Sequence, residues 1–135
     1  SLLTFLSLFS NGISKVTIIS DQDDPFSEGQ RKELEEAGLT FAVSQTLDNI
    51  LPDLDVVYIN AIAWVEKNVE AHGQAYVLNA KSPLKPSAIV MHPLARGKEL
   101  DRSLDDTPFN WYFAQARGAV YIRMALLSAI LKSYS

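Results

Sequence analysis

The sequence predicts a three-layer α/β/α domain built on a mainly parallel sheet of four or five strands. Three observations predict it. Four short runs rich in β-branched and apolar residues, near residues 15–19, 39–43, 55–59 and 88–91, have the length of strands. Helical or helix-length segments separate them, and such alternation implies crossover connections and parallel pairing, with helices on both faces. The last run, Ala88-Ile89-Val90-Met91, stops at the polar turn His92-Pro93-Leu94-Ala95-Arg96. The carboxyl edge of an open parallel sheet is where such folds place ligand groups.

Taken in order, Ser1 to Phe9 is apolar and reads as a helix that begins at the first residue. It lacks the basic region and cleavage site of a signal peptide and is too short for a bilayer span. An amphipathic helix cut from a longer chain is the preferred reading. Lys15-Val16-Thr17-Ile18-Ile19-Ser20 is the first strand. Asp21-Gln22-Asp23-Asp24-Pro25 is a solvated turn, because its spacing lacks the alternate ligands and distal Glu of a calcium loop. Ser27 to Ala37 is a charged, mostly exposed helix, and Gly38 stops it.

Leu39-Thr40-Phe41-Ala42-Val43 is the second strand, and Thr46 to Leu51 reads as a short helix ended by Pro52. Asp55-Val56-Val57-Tyr58-Ile59 is continuously apolar after its first residue and is expected at the sheet centre. A loop and then a helix near 70–78 precede the break Lys81-Ser82-Pro83-Leu84-Lys85-Pro86. After the fourth strand, Phe109-Trp111-Tyr112-Phe113 is expected to pack beneath a final helix over 118–132. That helix is apolar almost all round and is expected to be buried on nearly every side.

The chain has 135 residues, net charge −4, 47% hydrophobic and 21% charged residues. That balance fits one domain with a real core and leaves no electrostatic footprint for nucleic acid. With no cysteine there is no disulfide or thiolate chemistry, which is compatible with a cytoplasmic location. The last helix is too short and interrupted to span a membrane, two isolated histidines make no metal cluster, and no cofactor is expected.

Several linked motifs follow in order: His92-Pro93-Leu94-x-Arg96, Asp105-x-Thr107-Pro108, Trp111-Tyr112-Phe113-x-Gln115-Ala116, and Ile122-Arg123-x-Ala125-Leu126-Leu127. Together they resemble the C-terminal half of the aspartate carbamoyltransferase catalytic chain. The likeness extends over residues 1–135 as one amino-acid-binding (Asp/Orn-binding) domain of Rossmann-like fold, a fragment of a longer two-domain chain. It implies a role in pyrimidine biosynthesis, a carbamoyl-phosphate-binding domain in the same polypeptide, a homo-oligomeric parent and a small amino-acid ligand. The phosphate-binding motif and catalytic histidine of the resembling family lie in that other domain, so no catalytic residue is assigned here.

Two turns carry what the resemblance implies about substrate binding. After Ile59 the family reads Thr-Arg-x-Gln, whose Arg and Gln hold the aspartate carboxylate; here the turn is Asn60-Ala61-Ile62-Ala63. A guanidinium offers paired donors to a carboxylate and alanine offers none. The second turn, Pro93-Leu94-Ala95-Arg96, stands where the family has Pro-Leu-Pro-Arg with a cis Leu-Pro bond. With Ala95 in place of proline a trans peptide is expected, because a non-proline cis bond costs about 2.5–4 kcal/mol. Arg96 is assigned either to an anion or to an ion pair with Glu99 or a nearby Asp. His92 is read as a hydrogen-bonded framework residue. Leu94, Arg96 and Pro93 are thus the candidate binding residues, beside Asn60, Ala61 and Ala63 at the degenerate turn. The alternative is a non-catalytic α/β interaction or assembly module.

Overall fold

The computed structural model describes residues 2–60 and 76–133. The chain divides into two compact units, Ser1–Leu47 and Asp48–Ser135. In the first, helix α1 (Leu2–Ser7) is followed by a 3-10 turn at Ser10–Gly12, strand β1 (Val16–Ile19), helix α2 (Gln30–Glu36) and strand β2 (Phe41–Ser44). β1 and β2 pair in parallel, Val16 opposite Phe41 and Ile19 opposite Ser44. Helix α2 ends as the sequence requires. Gly38, at φ 72°, takes the left-handed position. Its N–H reaches the Glu35 carbonyl and the Leu39 N–H reaches that of Leu34. Leu34 and Leu39 are buried there, and α1 packs on α2.

The second unit holds strands β3 (Val56–Tyr58) and β4 (Ile89–Met91), again parallel, with Val57 opposite Val90. Its last element is helix α3 (Tyr112–Ser133). The core is Leu51, Val57, Leu78, Ala88, Val90, Leu100, Leu104 and Tyr112. Strand β4 is bonded on both edges. Val90 donates its N–H to the Phe109 carbonyl at 2.8 Å and accepts from the Trp111 N–H at 3.1 Å, on the side away from β3. Among the described residues β4, rather than β3, is therefore the enclosed strand of this unit, and Val56 of β3 is half exposed.

Parallel pairing and the α/β class agree with the sequence. Among the described residues, however, the strands hydrogen-bond as two pairs rather than as one ladder of four. The short helix expected over 46–51 is replaced by bends and a 3-10 turn at Leu51–Asp53, where Pro52 sits in the first turn. Proline lacks the N–H that a longer helix would need and is tolerated only at such a start. The helix expected near 70–78 lies mainly outside the described residues, and Leu78 forms a parallel bridge with Leu100 instead.

The final helix starts earlier than expected. Trp111 closes the bridge to β4, and its carbonyl then accepts the Gln115 N–H at 2.8 Å, opening the first turn. The aromatic segment thus lies in that turn and not beneath the helix: Tyr112 is buried, whereas Trp111 and Phe113 are half exposed. Burial of the helix on nearly every side is also corrected, since its apolar side chains from Val120 to Leu131 are largely exposed. No described helix is long and apolar enough to cross a membrane.

Candidate functional site

The site is built at the carboxyl end of β4. His92 follows directly on the strand and is fully buried. Three hydrogen bonds fix it. Its backbone N–H donates to Gln115 Oε1 of α3 at 2.9 Å, and its Nδ1 accepts the Leu94 N–H at 2.9 Å. With Nδ1 an acceptor, the ring proton sits on Nε2 and points to Glu99 Oε1, 3.0 Å away and equally buried. Glu99 Oε1 also accepts the Gly97 N–H at 2.7 Å. His92 is thus the framework residue the sequence indicated. Buried polar groups are retained where their bonds are satisfied, and here they clamp both flanks of the Pro93–Arg96 turn.

Within the turn, Leu94 lies in the left-handed region at φ 51° and the Leu94–Ala95 peptide is cis. This corrects the trans expectation: side chains outside the turn hold Leu94 and Arg96 on either side of Ala95. Arg96 makes a fork with Asp105, Nη1 to Oδ1 and Nη2 to Oδ2 at 2.6 Å. It also lies over the rings of Tyr112 and Phe113, 5.8 and 5.9 Å from their centroids. Of the two assignments open for Arg96, the ion pair is the one formed, with Asp105 and not Glu99 as partner.

Asp105 has a second donor, the Tyr112 hydroxyl at 2.5 Å, and its carbonyl accepts Asn110 Nδ2 at 2.7 Å. The Arg96 hydrogen bonds, with Tyr112 and the Arg96 charge assisting, hold the Asp105 carboxyl down at about 2. The same pair raises the Arg96 guanidinium above its ordinary range. The Tyr112 phenol is pushed up, first by burial and then by its bond to the carboxylate.

At the neighbouring edge, Tyr58 ends β3 and its hydroxyl lies 3.5 Å from Gln115 Nε2. Asn60 is exposed just beyond it. Ala61 and Ala63 lie outside the described residues. The structure therefore brings Pro93, Leu94 and Arg96 together with Asp105, Tyr112, Gln115 and Glu99; of these four the sequence offered only Glu99 or an unspecified Asp, and only as an ion-pair partner of Arg96. A helix register begun at Trp111 reveals part of that set, because Tyr112 and Gln115 are then three residues apart on one face. No group of three or more metal-ligand side chains occurs among the described residues.

Comparison with known proteins is specific. Residues 1–130 match the aspartate/ornithine carbamoyltransferase Asp/Orn binding domain. The aspartate carbamoyltransferase catalytic subunit of Aliivibrio fischeri (strain MJ11) is 35% identical over 105 residues, covering 74% of this chain and 34% of that subunit. The subunit from Chromobacterium violaceum is 37% identical over 107 residues, covering 74% and 35% respectively. The chain spans about a third of the length of these curated relatives. The fold matches aspartate transcarbamoylase from Trypanosoma cruzi in complex with aspartate and phosphate, with TM-score 0.77 and 24% identity over 94% of this chain and 43% of that one. The same enzyme in complex with N-(phosphonacetyl)-L-aspartic acid gives TM-score 0.77 and 23% identity over 93% and 44%.

Proposed function

We infer the function from one premise: the chain belongs to the aspartate/ornithine carbamoyltransferase family, as its Asp/Orn-binding domain. On that premise it is the acceptor-binding part of a carbamoyltransferase-like protein of pyrimidine biosynthesis. The observation that carries the reading is the turn after β4. Pro93, Leu94 and Arg96 form a defined edge, framed by His92, Glu99, Gln115 and Asp105. A rigid frame of this kind serves positioning, because an acceptor amine must be held in line with its reaction partner.

The turn after Ile59 points to altered recognition. Asn60-Ala61-Ile62-Ala63 lacks the guanidinium and amide donors of the resembling family. Removing one partner of a buried, hydrogen-bonded charge pair costs about 2–5 kcal/mol of binding. We therefore read the chain as an acceptor domain whose hold on L-aspartate is weak. The phosphate-binding and catalytic groups of the reaction are assigned to a carbamoyl-phosphate-binding domain of the same polypeptide, in a homo-oligomeric parent of the cytoplasm.

Titration calorimetry of the full protein tests this. L-aspartate and N-(phosphonacetyl)-L-aspartic acid are expected to bind with dissociation constants weaker than about 1 mM, a binding free energy less favourable than roughly −4 kcal/mol. The double substitution Ala61→Arg, Ala63→Gln is expected to tighten both at least tenfold. Micromolar binding by the unsubstituted protein, or no gain in the double variant, overturns the reading.

A further inference from the structure

Gln115 stands on α3, yet both of its polar atoms are turned to the ends of other elements. Its Oε1 accepts the His92 N–H at the end of β4, and its Nε2 faces the Tyr58 hydroxyl at the end of β3. His92 in turn passes the constraint on, since its Nδ1 accepts the Leu94 N–H in the candidate binding turn. Glu99 closes the arrangement by accepting a hydrogen bond from the ring N–H at Nε2, which leaves Nδ1 as the acceptor. Leu94 is the residue of the turn held at positive φ, a conformation a branched side chain adopts only when its surroundings impose it.

We propose that Gln115 is a positioning residue for the acceptor turn. It fixes the His92 backbone, and through the His92 ring it fixes the Leu94 amide. The proposal rests on the reading that this turn faces the acceptor. Its geometry is local and involves no bound molecule, so it can be tested apart from that reading. Gln115 is suited to the task because one amide supplies an acceptor for His92 and a donor for Tyr58. Alanine supplies neither, and glutamate keeps only the acceptor.

The test is amide hydrogen exchange in the full protein, resolved to single residues by fragmentation mass spectrometry. In Gln115→Ala, exchange at His92 and Leu94 is expected to rise about tenfold, the scale of one hydrogen bond. The Ile59 and Val90 amides, bonded to the Met91 and Phe109 carbonyls, are expected to keep their protection. Gln115→Glu is expected to restore protection at both His92 and Leu94, a rescue that a purely space-filling role does not produce. Unchanged exchange at Leu94 in the alanine variant overturns the proposal. So does a rise at Ile59 and Val90 matching that at Leu94, or a glutamate variant that behaves like alanine. Failure of the full protein to respond to the Ala61→Arg, Ala63→Gln exchange counts against the acceptor reading alone.

Discussion

Asp105 is where several residues of the site meet, and its charge is the quantity most open to measurement. Two guanidinium nitrogens and one phenol donate to it, and its carboxyl titrates near 2 instead of the ordinary value near 3.8. A carboxylate whose folded pKa is depressed adds stability above its unfolded pKa, and that stability fades as pH falls through the folded value. The partial exposure of the pair lowers the contribution to about 1–2 kcal/mol. Asp105→Asn is therefore expected to lower unfolding free energy by that amount at pH 7. The gap from the unsubstituted protein is expected to narrow between pH 4 and pH 2; urea unfolding across that range measures it, and a gap independent of pH contradicts the assignment. The sequence marks Arg96 as a residue in need of an anion. It does not mark which one, because eight residues of loop separate it from Asp105 and only the fold closes that loop.

At the scale of elements, the two glycines that punctuate helices act in opposite directions. Gly38 sits at φ 72°, where alanine would be strained, so Gly38→Ala is expected to cost about 1 kcal/mol or more. Gly118 lies inside α3 with open space where a Cβ would stand, so Gly118→Ala is expected to stabilise by about 0.5–1 kcal/mol. Thermal unfolding of the two variants should therefore move in opposite directions, and equal shifts would refute the account of either cap or helix. Elements whose signal is local are also the ones legible in the sequence. β1, β3 and β4 fall within the expected runs, β2 overlaps its run and ends one residue later at Ser44, and Gly38 ends α2 as its position indicates. The start of α3 is not legible in the same way. Trp111 must first close its bridge to Val90, and that is a long-range bond no window of residues contains. The enclosed place of β4 is hidden for the same reason, since the segment on its second edge is not a strand by composition.

For the whole molecule, the decisive feature is apolar surface left uncovered. On α3, Val120, Tyr121, Ile122, Met124, Leu126, Leu127, Ile130 and Leu131 are 45–71% exposed. At 100° per residue these positions fall on several sides of the helix, so a single flat contact covers only some of them. On α1 and the turn that follows it, Phe5, Leu8 and Phe9 are 55–75% exposed. Sequence alone shows that both helices carry more apolar surface than one contact face uses, but not which sides stay open, because that depends on what packs against them. Isolated surfaces of this size are uncommon on proteins that work alone. Covering several hundred Å2 at about 25 cal/mol per Å2 gives several kcal/mol before association costs. The chain expressed by itself is therefore expected to self-associate, with weight-average mass rising between micromolar and hundred-micromolar concentration in sedimentation equilibrium. The triple substitution Ile122→Gln, Leu126→Gln, Leu131→Gln is expected to suppress this without lowering the unfolding midpoint, since these side chains already face solvent. In the two-domain polypeptide proposed above the same substitutions should lower stability, because there they would remove a buried contact. A chain that stays strictly monomeric at all concentrations, or a longer protein indifferent to the substitutions, would show that α3 is exposed without being an interface.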